Sequence, residues 1–189
     1  GGKTWHEAND STSENHCIND LAIHPDFPGV VYAATAAGGV IKTTDGGQEW
    51  EQLTGLVPTD IRAIALDPNA PGTVYVGAKF NGVYRYFEGS GTWQPMIAGM
   101  DPNESIYAIV FDPVTPGVIW AGSYQTGVYR WDSVEGLWIH VNDGLRTRAV
   151  TDLDISADGQ VLYASTWGEG VFRLGDISEY LTVSVYLPG

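Results

Sequence analysis

With 189 residues, 43% of them hydrophobic and 12% aromatic, the chain carries enough apolar surface for one substantial core, which excludes a disordered polypeptide. Twenty-three acidic residues against nine basic ones leave a net charge of −14, a field that repels phosphate backbones and anionic bilayers and speaks against nucleic-acid binding. The one cysteine, Cys17, allows no intrachain disulfide, no apolar run has the length of a membrane span, and 24 glycines with 10 prolines predict short strands joined by tight turns, an all-β fold.

In chain order, residues 1–5 (GGKTW) read as the tail of a glycine-bearing turn closed by Trp5, and residues 3–9 are expected to add a lone outer strand. The first strand-like run, CINDLAIHP, begins at Cys17, a small apolar filler on an inward strand in this reading. The turn HPDFPG stops it, and VVYAAT, GVIK and a strand marked by Trp50 follow. The same order recurs in DIRAIALDP, TVYVGA and GVYR before Trp93, in SIYAIVFDP, VIWAGS and GVYR before Trp138, and in AVTDLDISA, VLYAST and GVFR. Trp5, Trp50, Trp93 and Trp138 lie 45, 43 and 45 residues apart, and Val40, Val83, Val128 and Val171 lie 43, 45 and 43 apart.

Four strand-like runs per repeat of this length predict a β-propeller of four-stranded antiparallel blades. The blades fall at about 17–54, 60–97, 105–142 and 149–186, within a propeller region 1–176, and residues 177–189 are the last outer strand or the start of a linker. Residues 3–9 could pair beside Val171 and close a four-bladed ring. The turn interrupted at residue 1 favours the alternative, a fragment of a larger propeller with further blades outside this chain.

The best-formed turn is TTDGGQEW, where Thr43, Asp45, Gly46, Gly47 and Trp50 give the spacing S/T-x-D-x-G-x-x-W. Asp45 is expected to turn its carboxylate onto the loop amides, the glycines to supply positive φ, and Trp50 to anchor the hairpin. This pattern resembles the Asp-box of BNR-type repeats, found in sialidase-like, sortilin-like and xyloglucan-hydrolase-like propellers. The resemblance implies a secreted bacterial protein, extracellular or at the cell surface. Other copies are degenerate: Glu88 and Ser90 replace Asp45 and Gly47, Ser133 occupies the next Asp position with Asp132 one residue early, and Leu181 replaces the final Trp. Those turns are expected to be held more by packing.

Propellers of this kind bind ligands on the face that carries the loops between second and third strands and between blades. The loops AKFNG, SYQTG and TWGEG bring Phe80, Tyr124 and Trp167 to one mouth, where aromatic faces can stack on sugar rings while Lys79, Gln125 and Glu169 bond hydroxyls. Arg146 and Arg148 join them from an interblade loop. The competing reading makes the aromatics plugs of the channel or padding between blades. No catalytic set emerges. Arg62, Arg85, Arg130 and Arg173 recur at strand positions instead of forming a sialidase triad, and Ala36 and Ala37 occupy the place of the xyloglucanase Asp. Asp152 and Asp154 share a strand face, but Ala63 and Ala65 are their repeat equivalents. His6, His16, His24 and His140 lack zinc spacing, so no metal and no cofactor is expected. The favoured function is a non-catalytic module binding carbohydrate or a protein partner. The alternatives are part of a glycoside hydrolase whose acids lie outside this chain, and a structural repeat segment of a large surface protein.

Overall fold

The computed structural model describes residues 4–13 and 16–177. The first antiparallel sheet joins β1 (Ile18–Ile23), β2 (Val31–Thr35), β3 (Val40–Thr43) and β4 (Glu51–Gln52). The second joins β5 (Ile61–Asp67), β6 (Ala70–Ala78), β7 (Gly82–Phe87) and β8 (Thr92–Met96). The third joins β9 (Ile106–Phe111), β10 (Ile119–Ser123), β11 (Gly127–Asp132) and β12 (Leu137–His140), and the fourth β13 (Val150–Ile155), β14 (Val161–Thr166) and β15 (Gly170–Gly175). Sequential strands are always neighbours within a sheet, and no α-helix occurs among the described residues. The chain is a four-bladed β-propeller, as its period predicts.

Blade faces that meet a neighbouring blade are apolar, and the two middle blades are apolar on both faces. Tyr32, Ala34 and Val40 of the first blade pack with Ile61, Ile64, Val74 and Val76 of the second. Ala63, Tyr75 and Val83 on the second blade's other face pack with Ile106, Ile109, Ala121 and Tyr129 of the third. Ala108, Trp120 and Val128 then meet Val150, Leu153, Leu162 and Ala164 of the fourth. Close approach depends on Gly77 and Gly122 in the second strands: a Cβ on Gly77 would lie 2.6 Å from the Ile106 carbonyl oxygen, and one on Gly122 2.8 Å from Val150 Cγ1. Cys17, expected inside, is exposed at the foot of β1, where among the described residues the face of the first blade away from the second leaves Leu21 and Ile23 exposed as well.

The turn at Asp45 forms as its chemistry requires. Asp45 Oδ1 accepts the amides of Gln48 (2.9 Å) and Glu49 (3.1 Å) and the Thr43 hydroxyl (2.8 Å), while Thr43 Oγ1 accepts the Gly47 amide at 3.0 Å. Gly46 and Gly47 have φ of 79° and 94°. The degenerate turns differ from expectation. Asp132, displaced by one residue, still caps its hairpin, since Oδ1 accepts the amides of Val134 (2.9 Å) and Glu135 (3.0 Å). Glu88 leaves its own turn and reaches back to the first blade, where Tyr32 and Lys42 both donate to Oε1.

Residues 4–13 form no strand, and Trp5 is fully exposed, so it anchors no hairpin. The segment instead lies over the first outer hairpin. Asp10 Oδ2 accepts the Trp50 amide at 2.8 Å, and the Ala8 carbonyl accepts its indole N–H at 3.0 Å. The two-residue β4 leaves that amide outside the ladder, and the Asp10 carboxylate satisfies it in place of a strand. Trp138 is buried with its indole donating to the Met96 carbonyl at 2.8 Å, and Trp93 packs half-buried on Tyr86. The expected last outer strand and Leu181 fall within 178–189, outside the described residues.

Candidate functional site

One face of the propeller is defined by a bond repeated in every blade. The first amide after each second strand donates to the carbonyl just ahead of the first strand: Ala36 to Cys17, Lys79 to Asp60, Tyr124 to Ser105 and Trp167 to Ala149, all at 2.8–3.0 Å. Gly39 and Gly82 donate to Thr59 and Glu104 of the following interblade loops, each at 2.9 Å. The second-to-third loops and the interblade loops are thereby sewn into one surface. The Asp45 turn lies at the opposite rim, where Gly46 donates to Gly29 in the turn between β1 and β2.

Tyr124 and Trp167 occupy equivalent places on this face, Phe80 sits one residue further along its loop, and all three are exposed, Trp167 at 71%. Phe80 adopts φ of 61°, fixed by its amide bond to Ser105 Oγ of the next blade (3.1 Å), and Lys79 Nζ lies 5.2 Å from its ring. The polar candidates are less available. Lys79 approaches Asp60 at 3.8 Å, and Arg146 pairs with Glu169 at 3.8 Å. Gln125 holds the Ser105 amide and hydroxyl, and Arg148 donates to the carbonyls of Asn142 and Leu145. Gln125 and Arg148 therefore shape the loops, whereas Glu169, Arg146 and the three aromatics keep surface for a ligand.

Behind these loops the first strands line a cavity of about 450 Å³ on the axis. Every first strand carries a β-bulge near its start, and the residues skipped by the register are Asn19, Arg62, Tyr107 and Thr151. All four line the cavity together with Asp20 and Asp152. Arg62 is ion-paired with Asp60 at 2.7 Å and lies 5.7 Å from the Tyr107 ring, which in turn stacks on Tyr124 at 5.2 Å. An unbroken row of side chains thus runs from the axis to the loop surface. Asp20 accepts the amides of Ile64 (2.9 Å) and Leu21 (2.8 Å). Its carboxyl is nonetheless raised, first by burial and last by the negative charge of Asp152 across the cavity.

Sequence reasoning missed this lining because a bulge shifts the inward-facing position by one residue and breaks simple alternation. The available signal was chemical. Asn19, Arg62, Tyr107 and Thr151 differ from one another at one repeat position that always follows a branched apolar residue, Ile18, Ile61, Ile106 or Val150. Asp152 also has an acidic repeat equivalent after all, Asp20, since Asp20 pairs with Ala34 as Asp152 pairs with Ser165.

A second polar cluster was also unanticipated. Glu104, buried in the loop into the third blade, accepts the Ser123 hydroxyl at Oε1 and the Tyr129 hydroxyl at Oε2 (3.0 Å). Burial, with the carboxylate nearby, pushes the Tyr129 phenol well above its ordinary value. This network ties the loop to the sheet and is closed to solvent. Among the described residues no group of three or more His, Cys, Asp or Glu is placed to hold a metal ion, and no helix is long and apolar enough to cross a membrane.

No family model matches the chain, and no curated protein does. Among solved structures it is similar to the GH74 enzyme of Niastella koreensis, at 19% identity and a TM-score of 0.69 over 87% of this chain and 29% of that one. It is also similar to the computationally designed Ika4 protein, at 17% identity and a TM-score of 0.66 over 91% of this chain and 99% of that one. At these identities the likeness is one of fold, and the chain spans less than a third of the GH74 enzyme's length.

Proposed function

We propose that the chain is a binding module that takes carbohydrate on its loop face, with Trp167, Tyr124 and Phe80 as the stacking platform and Glu169 and Arg146 as hydroxyl partners. The observation that carries this reading is the exposure of an aromatic ring in the second-to-third loop of three consecutive blades, at the first loop residue for Tyr124 and Trp167 and at the second for Phe80. Exposed aromatic rings recurring in three neighbouring loops are costly to solubility, whereas sugar rings present apolar faces on which such rings can stack. The continuous Tyr124–Tyr107–Arg62 row supports extending the site toward the axis. The strong acidic balance suits an exported protein and disfavours anionic polymers.

Glycan-array screening followed by calorimetry on the best neutral oligosaccharide tests this. Trp167→Ala combined with Tyr124→Ala is expected to weaken binding at least about tenfold, the equivalent of ~1.4 kcal/mol. Unchanged binding in a folded double variant defeats the carbohydrate reading.

A second reading, a portion of a glycoside hydrolase, is favoured by the fold likeness to a GH74 enzyme. It requires two carboxyl groups about 5–10 Å apart at the scissile bond, and Asp20 and Asp152 supply two carboxyls that line one cavity, with the charge of Asp152 acting on Asp20. Release of reducing ends from xyloglucan by this chain, abolished in Asp152→Asn, would favour this reading over a non-catalytic one.

A further inference from the structure

Each blade carries an aromatic and a basic residue paired across its second and third strands: Tyr32 with Lys42, Tyr75 with Arg85, Trp120 with Arg130 and Tyr163 with Arg173. The first three aromatics are sealed against the following blade, at 0%, 6% and 0% exposure, but Tyr163 is 44% exposed and Arg173 is exposed with it. The opposite face of a blade shows the converse. Leu21, Ile64, Ile109 and Leu153 hold one register position in the first strands. Ile64, Ile109 and Leu153 are 4–7% exposed, whereas Leu21 is 57% and its strand neighbour Ile23 is 61%. The fourth blade therefore presents a trailing face, and the first a leading face, of the same interface that the chain builds three times internally.

We propose that these two faces are halves of one interblade contact made between two copies of this chain, head to tail, so that Tyr163 of one copy packs against Leu21 of the other. The occupant follows from the internal contacts: what covers a trailing face here is always a leading face, and the chain's one unused leading face is that of its first blade. Charge agrees with shape. Tyr32 and Lys42 jointly receive Glu88 from the next blade. The first-blade residue at the place of Glu88 is Asp45, whose Oδ2 accepts no bond among the described residues and is available to Arg173 of a second copy. Each copy carries both faces, so a pair whose rotation closes satisfies both contacts at once, and that closed heterologous pair is the assembly proposed.

Sedimentation equilibrium of the purified chain across a wide concentration range tests the proposal. The expected species has twice the 20.4 kDa mass of one chain. Leu21→Glu and Tyr163→Glu, both at surface positions of a single copy, are each expected to give a folded monomer, since either change spoils both contacts of the pair. Mixing the two variants is expected to restore association, because one contact in the mixed pair joins an intact Tyr163 to an intact Leu21. A wild-type chain that stays monomeric at every concentration overturns the proposal. So does a dimer that survives both substitutions, or a mixture that remains monomeric.

Discussion

At the residue scale, the two kinds of tryptophan separate anchoring from mere recurrence in the sequence. Trp138 is 1% exposed and its indole is bonded between the second and third blades, so Trp138→Ala is expected to cost about 3–5 kcal/mol in urea unfolding. Trp5→Ala should leave the midpoint unchanged. The carboxylates separate in the same way. Amides of the turn, Glu49 first, and the Thr43 hydroxyl hold Asp45 below the ordinary aspartate value of 3.8, while burial holds Asp20 above it. The signs are opposite. Asp45 contributes stability above pH 3.8 that disappears as the pH falls through its folded value, whereas ionised Asp20 opposes folding as the pH rises from 3.8 through its own. Carboxyl-carbon NMR titration should order them accordingly, and Asp152→Asn should lower the Asp20 value by removing the facing charge; an unmoved Asp20 titration would contradict the shared cavity.

At the element scale, blade spacing is set by what the second strands lack. A side chain at Gly122 would collide with Val150 and Leu153 of the next blade. Gly122→Val is therefore expected to destabilise by about 1–3 kcal/mol, the usual cost of overpacking a filled core. Gly89 supplies the control, since a Cβ there meets nothing within 4 Å and its φ is not positive. Gly89→Ala should be neutral or slightly stabilising in the same denaturation series. The first strands show a complementary device. One bulge per blade re-aims a single side chain into the axis, so Asn19, Arg62, Tyr107 and Thr151 meet although more than 40 residues separate each from the next.

At the scale of the whole molecule, the internal interfaces are repeated copies of one contact, so the behaviour of the two outermost faces follows from the three that are filled. The same repetition governs the loop face. One backbone bond per blade holds the loops at equal height, and the exposed rings of Phe80, Tyr124 and Trp167 form a row because their loops do. Acidity adds a condition. With a pI near 4.3, solubility should pass through a minimum around that pH, where self-repulsion vanishes. Turbidity that is flat from pH 3 to 6 would contradict this.

The sequence by itself determined the strand order, the blade period and the Asp45 turn, because these rest on local alternation, on Gly and Asp chemistry within a few residues, and on a repeat that survives poor copies. It also located the exposed aromatics, which sit in loops where numbering and position coincide. Only the tertiary structure decided which side chains reach the axis, that Glu88 clasps the preceding blade instead of its own turn, that Asp10 replaces a strand beside Trp50, and that Gln125 and Arg148 are occupied by backbone. The Glu88, Asp10 and Gln125 contacts join residues 20 to 56 positions apart, the axial side chains depend on a one-residue bulge, and Arg148 turns back on its own loop, none of which leaves a period in the sequence.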